Sequence, residues 1–352
     1  MKYFFVLGRN EKLSEAEVES FFGVRGGFSR CFLEENILVG DIKTEKFCAD
    51  DFGGVLMCGK IMFEGKDIGE FLNNSEVIEG EKFSYYVFGD AGPLKEKFKR
   101  EKRKAVQKHG VRRLRFQDGH FIKIPKTKNV FFLHNFKGTF FFGKATSFFD
   151  SQEAERRDME KPHRRPSLAI SPRLARILIN LSQAREGEIL LDPFCGVGGV
   201  LQEAIIKGIN VIGADIDRKV VNLARENLLW IKKNFIAKGN FLLKVADAAK
   251  LSGLKFDAIA TESPLGRLIS KKISKKEARE MATDFERRII TPLRNLKRIK
   301  KDSKIAITFP AIRDIRVDIR KIEKETGLRK IKGPITEFRK DQYVLRDILV
   351  FK

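Results

Sequence analysis

The sequence predicts an α/β protein with a mostly parallel, doubly wound sheet in its C-terminal half and an α+β region before it. In the second half, short apolar runs of strand length alternate with helical stretches, which is the pattern of a parallel sheet. A glycine-rich turn follows the first of these strands and precedes a helix. We expect strands at Glu188–Leu191, Asn210–Ala214, Phe241–Val245, Phe256–Thr261 and Lys304–Phe309, and a final pair near 327–333 and 342–351.

The N-terminal region alternates short strands with helices. Ser14 is expected to cap the first helix, with Glu17 completing a capping box. A second, basic helix is expected within Lys95–Arg115, and phenylalanine-rich strands at Ser84–Phe88, Val130–Leu133 and Thr139–Phe142. We therefore divide the chain into residues 1–145, a linker of residues 146–170 that lacks periodicity, and residues 171–352.

The composition is that of a soluble, cytoplasmic protein. A chain of 352 residues corresponds to about two domains on the usual prior. Its apolar runs stay well short of the roughly 20 residues that cross a bilayer, and the start Met1–Gly8 is expected to form a strand rather than a signal peptide. The four cysteines lack paired spacing and the histidines are scattered, so neither disulfides nor a metal site are expected.

The positive charge predicts a polyanionic partner. The formal net charge is +23, and Lys95–Arg115 holds eleven Lys or Arg against two Glu. Apolar residues recur there at helical spacing, so we expect one buried stripe and a basic outer face that contacts phosphates. A merely solvated face, or a lysine-rich surface typical of organisms that live in high heat, is the alternative.

A ligand site is predicted where the first strand of the second half meets the glycine-rich turn, in the run Leu190-Leu191-Asp192-Pro193-Phe194-Cys195-Gly196-Val197-Gly198-Gly199. The glycines permit a tight turn near a ligand, and the next strand ends on Asp215, a carboxylate suited to ribose hydroxyls. Leu201 stands where a dinucleotide fingerprint has its third glycine, and Asp192 would repel a pyrophosphate. The same carboxylate suits a cation such as the amino group of S-adenosylmethionine. NAD-like binding and a structural turn remain the alternatives.

These residues resemble a class I methyltransferase domain, and one family in particular. The chain resembles archaeal tRNA guanine-N2-methyltransferases over about residues 150–265. The runs that show the resemblance are Arg156-Arg157-Asp158-Met159, Lys161-Pro162-His163-Arg164-Arg165-Pro166, Ser171-Pro172-Arg173-Leu174-Ala175-Arg176, Asn180-Leu181 and Leu191-Asp192-Pro193-Phe194-Cys195-Gly196. The resemblance implies a Rossmann-like fold, an N-terminal THUMP RNA-binding region, S-adenosylmethionine as cofactor and guanosine 10 of tRNA as target.

The resemblance also implies roles for individual residues. Asp215 would bind the ribose hydroxyls and Asp247 the adenine amino group. The remaining cofactor-binding residues would be Asp192, Phe194, Gly196 and Gly198. Asp217 is instead expected to cap the helix that starts near Arg218.

The expected catalytic loop departs from the usual Asp-Pro-Pro-Tyr of amino-group methyltransferases and reads Glu262-Ser263-Pro264-Leu265. Because the lone pair of guanine N2 is delocalised into the ring, the loop must hold the amino hydrogens with acceptors and aim the nitrogen. Glu262 and the Ser263 carbonyl can do so, and Pro264 biases Ser263 to an extended conformation. Leu265 lacks the stacking of a tyrosine, for which Phe148, Phe149 or Phe194 are candidate substitutes.

Two functions from different classes follow. The first is an active tRNA (guanine-N2)-methyltransferase that acts on tRNA, is expected to be a monomer and leaves room for a small activating subunit. The second is a non-catalytic tRNA-binding relative or subunit with a degenerate catalytic loop. Methylation of DNA or of a protein glutamine uses similar chemistry but gives no reason for a basic N-terminal half.

Overall fold

A computed structural model describes residues 1–44, 46–109, 127–164, 170–266, 269, 273–338 and 343–352. The chain divides into two compact units. The first comprises Met1–Glu11, Arg25–Asp50 and Val55–Phe149, and the second comprises Lys12–Val24, Asp51–Gly54 and Asp150–Lys352. None of the described helices combines the length and the apolar composition that spanning a bilayer requires.

The first unit is an α+β structure built on one sheet. Its elements are β1 (Lys2–Leu7), β2 (Phe28–Glu34), β3 (Ile37–Ile42), β4 (Val55–Gly65), α2 (Ile68–Asn73), β5 (Lys82–Gly89), α3 (Gly92–Arg100), β6 (Lys104–Gln107), β7 (Asn129–Phe136) and β8 (Thr139–Phe148). The strand order is β2-β3-β1-β4-β8-β7-β5-β6. Phe32 of the edge strand β2 stacks on Phe136 of β7 with ring centroids 4.4 Å apart, so the sheet is strongly curled around a phenylalanine-rich core.

The predicted basic helix is only partly correct. Helix α3 ends at Arg100, and Lys104–Gln107 form β6 beside β5. The helix stops because Lys102 takes a left-handed φ of 54° and the next amide donates to the Phe98 carbonyl. Lys97 lies inside, where its Nζ donates to the Leu72 carbonyl at 2.6 Å, so it does not belong to a basic outer face. Residues 110–115 of the predicted helix lie outside the described residues.

The second unit is the predicted doubly wound sheet. Its elements are α1 (Glu11–Gly23, in this unit from Lys12), α4 (Ser151–Met159), α5 (Pro172–Ser182), β9 (Ile189–Asp192), α6 (Gly199–Ile206), β10 (Asn210–Asp215), α7 (Arg218–Asn234), β11 (Phe241–Val245), β12 (Ala258–Glu262), α8 (Lys275–Ile299), β13 (Ile305–Ile312), α9 (Ile319–Thr326), β14 (Lys330–Glu337) and β15 (Val344–Phe351).

Strand order in this sheet is β11-β10-β9-β12-β13-β15-β14. The first five strands run parallel, and β15 is antiparallel to both of its neighbours. Helices α5, α6 and α7 pack on one face around Leu190, whereas α8 and α9 pack on the other around Leu191. The alternation of consecutive side chains along β9 thus supplies both hydrophobic cores.

The predicted capping box is wrong, and the segment between the two predicted regions contains a helix. Helix α1 begins at Glu11, so Ser14 lies inside it, and the Glu17 carboxylate accepts from the Gly53 and Gly54 amides, 2.7 Å each, rather than closing a capping box. The segment 146–170 contains helix α4, which has no apolar periodicity because one of its two buried residues is Arg157. The division at residues 145 and 170 stays a prediction.

Candidate functional site

Four acidic residues follow neighbouring strands of the second sheet at the same edge. They are Asp247 after β11, Asp215 at the end of β10, Asp192 at the end of β9 and Glu262 at the end of β12. The chain winds in opposite directions on either side of the β9–β12 pair, which makes this the topological switch point where ligands of doubly wound sheets bind. Asp192, Asp215, Asp247 and Glu262 therefore share one edge of the sheet.

Asp192 is buried at this switch point. Its Oδ1 accepts from the Thr261 hydroxyl at 2.5 Å and from the Phe194 amide at 3.1 Å. Burial raises the pKa of Asp192 to about 7, and the negative charges of Asp215 and Glu262 act in the same direction, although the two hydrogen bonds oppose the shift. A buried carboxylate whose charged neighbours are negative is a strong site for a small cation.

The glycine-rich turn is fixed by the next strand. The Gly196 amide donates to Asp215 Oδ2 at 3.1 Å, and the Asp217 amide donates to Oδ1 of the same carboxylate at 3.0 Å. Gly198 precedes α6 with a left-handed φ of 88°, a conformation that glycine adopts easily because it has no side chain. Asp217 caps α7 through the Lys219 amide, as the sequence predicts.

Leu201 has a structural reason for replacing a third glycine. A side chain at Gly213 of β10 would place its Cβ 2.4 Å from Leu201 Cδ1. Close packing of α6 on the sheet is therefore provided by a glycine in the strand rather than in the helix. Cys195 beside it is buried, and burial raises the pKa of its thiol, which disfavours a nucleophilic role.

Asn227 joins this turn to the segment that precedes α5. From α7, its Nδ2 donates to the Val197 carbonyl at 2.9 Å and to the His163 carbonyl at 3.0 Å, while its Oδ1 accepts from the His163 amide at 2.9 Å. Asn227 is fully buried. The Lys161–Arg164 part of the segment is thereby attached to the glycine-rich turn, whereas Arg165 and Pro166 lie outside the described residues.

A second buried network holds helix α6. Glu203 accepts from Arg157 Nε at 2.8 Å and from Arg176 Nε at 2.6 Å. Burial alone would raise the pKa of Glu203, but the two guanidinium groups lower it below its ordinary value. Arg157 of α4 and Arg176 of α5, both buried, thus support the helix that starts at the glycine-rich turn.

The other predicted cofactor residues have defined contacts as well. Asp247 caps the short 3₁₀ helix Ala248–Lys250 by accepting from the Ala249 amide at 2.9 Å. Asn295 of α8 holds that helix by donating to the Ala248 and Leu251 carbonyls at 3.0 and 2.9 Å. Phe194 is half-buried against the α8 side of the core.

The predicted catalytic loop continues directly from Thr261. Glu262 Oε1 accepts from Nε of Arg346, which lies on β15. Ser263 is buried and its hydroxyl donates to the Thr308 carbonyl, so the backbone is fixed at the residue whose carbonyl is expected to act as an acceptor. Pro264 is exposed and Leu265 is half-buried. Phe148 and Phe149 belong to the first unit, and Phe194 to the second.

Sequence reasoning missed Thr261, Asn227 and Arg346. Thr261 and Arg346 each interrupt an apolar strand with a polar residue, as in Ala258-Ile259-Ala260-Thr261 and Val344-Leu345-Arg346-Asp347-Ile348-Leu349. Buried polar residues in such strands need partners, and this is the signal that could have identified them. Asn227 gives no comparable signal because α7 is rich in polar residues.

Known proteins are similar to this chain in the same region. Residues 162–299 match the family described as "RMKL-like, methyltransferase domain". A tRNA (guanine(10)-N2)-dimethyltransferase of Methanothermobacter thermautotrophicus is 43% identical over 110 residues, which are 30% of this chain and 31% of that protein. One of Pyrococcus abyssi is 31% identical over 167 residues, which are 46% of this chain and 44% of that protein. The matches thus span less than half of these relatives.

The crystal structure of TrmN from Thermus thermophilus is also similar. The alignment covers 100% of this chain and 99% of the TrmN chain, with a TM-score of 0.51 and 16% sequence identity. This likeness concerns the fold. Together with the strand order, it confirms the expected α/β architecture with a class I, Rossmann-like sheet in the second unit. The THUMP character of the first unit stays a prediction.

Proposed function

We propose that this chain, which carries an RMKL-like methyltransferase domain at residues 162–299, transfers a methyl group from S-adenosylmethionine to the exocyclic N2 amine of a guanosine in tRNA. One observation carries the proposal. Thr261 holds the buried Asp192, and the next residue, Glu262, opens the loop that is expected to receive the amine. A cation site and an acceptor site therefore adjoin at one strand end.

The residues of the edge fit the cofactor by their chemistry. Asp192 would bind its ammonium, because its buried carboxylate gains most from a positive partner. Asp215, which already holds the Gly196 amide, would bind the ribose hydroxyls, and Asp247 the adenine amino group. Gly196 and Gly198 allow close approach of the backbone, and Phe194 would cover an apolar surface of the ligand.

The acceptor loop would act by positioning. When bound, S-adenosylmethionine supplies the methyl group on a sulfonium leaving group. Glu262 and the Ser263 carbonyl would accept the two amino hydrogens of guanine and aim the nitrogen at that methyl group. As the N–C bond formed and the methyl–sulfur bond broke to leave a neutral thioether, Glu262 would stabilise the positive charge on the nitrogen, and the amino proton would then pass to water. Pro264 and Leu265 would contact the base.

The first unit would bind the RNA. Exposed cations on and after α3 include Lys95, Lys99, Arg100 and Lys102. Such groups bind phosphates without reading sequence, so they would supply affinity rather than the choice of nucleotide. We infer guanosine 10 as the target because the archaeal relatives carry that position in their names. A cytoplasmic monomer, with or without a small activating subunit, is the form that we expect.

One observation favours a second candidate, a non-catalytic tRNA-binding relative. Glu262 Oε1 is already engaged by Arg346, and Leu265 stands where a stacking aromatic residue is usual. In this alternative, the ion pair closes the acceptor site instead of organising it.

The test is transfer of a labelled methyl group from S-adenosylmethionine to unmodified tRNA, followed by nuclease digestion to nucleosides. N2-methylguanosine or its dimethyl form is expected, and a tRNA with adenosine at position 10 should accept no label. Label in another nucleoside would contradict the proposed acceptor. Binding of cofactor and tRNA without transfer would favour the non-catalytic alternative.

A further inference from the structure

We propose that Arg346 is a positioning residue for methyl transfer, which orients Glu262 toward the amine; this inference rests on the proposed function. Arg346 lies outside the matched residues 162–299, on β15, which stands between β13 and β14 in the sheet. Its side chain nevertheless reaches the end of β12, where its Nε donates to Glu262 Oε1.

The sheet register explains how the contact forms. Glu262 pairs with Thr308 across the parallel β12–β13 ladder, and Arg346 pairs with Pro310 across the antiparallel β13–β15 ladder. Paired residues and residues two apart along a strand share one face of a sheet, so Glu262, Thr308 and Arg346 lie on the same face. The antiparallel last strand is what brings a long cation beside the acceptor loop.

Burial makes this contact strong. The side chain of Arg346 is 4% exposed and that of Glu262 is 15% exposed. A buried guanidinium needs an anionic partner, and Glu262 supplies one. Nearby, Asp347 forms an ion pair with Arg316 Nε at 3.0 Å and accepts from the Thr336 hydroxyl at 2.6 Å, which fixes the backbone of β15 at this point.

Glu262 stands where the usual motif has an aspartate, and this difference explains why Arg346 would be needed. Glutamate has one more rotatable bond than aspartate, so its carboxylate is less well directed from the same backbone position. A planar guanidinium that donates to one carboxylate oxygen restores a defined orientation.

The test compares Arg346→Met, Arg346→Lys, Glu262→Gln and the two double variants by tRNA methylation kinetics. If a misdirected Glu262 displaces the amine, Arg346→Met should lower kcat about 100-fold with little change in the KM for tRNA. Arg346→Lys should recover part of that loss because it keeps the charge. In the Glu262→Gln background, either change at Arg346 should have little further effect, since residues acting as one unit are not additive.

Arg316→Met is the matched control. It removes a cation between β13 and α9 whose partner is Asp347, the residue after Arg346, so kcat should stay within about two-fold of wild type. Titration calorimetry with S-adenosylhomocysteine and thermal unfolding show which variants are folded. If Arg346→Met does not fold, Arg346→Lys, alone and with Glu262→Gln, gives the same comparison.

Three outcomes would overturn the inference. An unchanged kcat in a folded Arg346→Met variant would show that Glu262 needs no such support. If replacing Arg346 lowers kcat as much in the Glu262→Gln background as in the wild type, Arg346 acts by another route. In both cases the wild-type protein still methylates tRNA and the proposed function stands. A wild-type protein that binds cofactor and tRNA but transfers no methyl group would refute the proposed function, and the inference with it.

Discussion

Thr261 on β12 donates its hydroxyl to Asp192 on the neighbouring strand β9, with 2.5 Å between the two oxygens. This hydrogen bond stabilises the ionised form of a carboxyl group that burial otherwise keeps partly protonated near neutral pH. Asp192 is therefore the group whose titration should be most visible in the ligand-free protein.

We expect the contribution of Asp192 to the stability of the ligand-free protein to fall as the pH rises from about 4 to 7. Because the pKa of Asp192 is raised from 3.8 to about 7, its stabilising contribution is complete below pH 4 and is lost as pH rises through the folded-state value. Asp192→Asn should remove this loss and stabilise the protein at pH 8 by at most about 4 kcal/mol. Urea unfolding at several pH values measures the effect.

Asp284→Asn is the control for that experiment. Asp284 is exposed on α8 and pairs with Arg288 on the surface, so its replacement removes a carboxylate without changing the buried site. Equal pH dependence of Asp192→Asn and wild type would show that Asp192 does not titrate as its burial suggests.

Cofactor affinity should show the opposite pH dependence. A bound ammonium favours ionised Asp192, so affinity for S-adenosylhomocysteine should weaken up to about ten-fold per pH unit below 7 and level off above it. Titration calorimetry at pH values from about 5.5 to about 8.5, a range that brackets the raised pKa of Asp192, would test this. The Asp192→Asn variant should bind weakly and without this trend. Equal affinity of wild type and variant at pH 8 would mean that Asp192 does not bind the cofactor.

Glu262 should be needed for transfer but not for cofactor binding. Glu262→Ala removes the side-chain acceptor and should abolish measurable methylation, whereas Glu262→Gln keeps one acceptor oxygen and should lower kcat about 100-fold. Affinity for the cofactor should change by no more than about three-fold, because the expected ligands of the cofactor remain. Normal turnover of Glu262→Ala would refute the assignment.

Glu17 should be essential for the stability of the second unit. Its buried carboxylate accepts from the Gly53 and Gly54 amides and from Asn180 Nδ2, each at 2.7 Å. Glu17→Ala removes the acceptor of the two amides and one of the two acceptors of Asn180 Nδ2, and should cost about 3–5 kcal/mol. Trp230, on α7 and the one tryptophan of the chain, allows unfolding of this unit to be followed by fluorescence.

Glu19→Ala on the same helix is the matched control. Glu19 forms a surface ion pair with Lys332, and its loss should cost about 0–1 kcal/mol. If both variants unfold at the same urea concentration, the contacts of Glu17 contribute no more than a surface pair.

The exposed cations of the first unit should control tRNA affinity and its salt dependence. A triple Lys95→Glu, Lys99→Glu, Lys102→Glu variant should bind tRNA more weakly, and the slope of log affinity against log salt should fall by about 2–3. Cofactor affinity should be unaffected. Unchanged tRNA binding would indicate that this surface is only solvated.

Much of the second unit could be predicted from the sequence because its patterns are local. The strand Phe241–Val245 has the predicted bounds, and Asp217 caps α7 as expected. The helix α4 was not predictable because its buried residue Arg157 is charged, and its buried partner, Glu203, lies far along the chain. Helix α3 was predicted too long for a related reason, since spacing does not show that Lys102 takes a left-handed conformation.

The sequence by itself determined the alternation of strands and helices, the glycine-rich turn and the carboxylates that end neighbouring strands, because each depends on residues close together in the chain. Only the tertiary structure decided which distant side chains meet them. Thr261 reaches Asp192, Arg346 reaches Glu262, and Glu17 reaches Asn180. The physical reason is that burial makes an unpartnered polar group costly, but a partner can come from any strand or helix that the fold brings alongside.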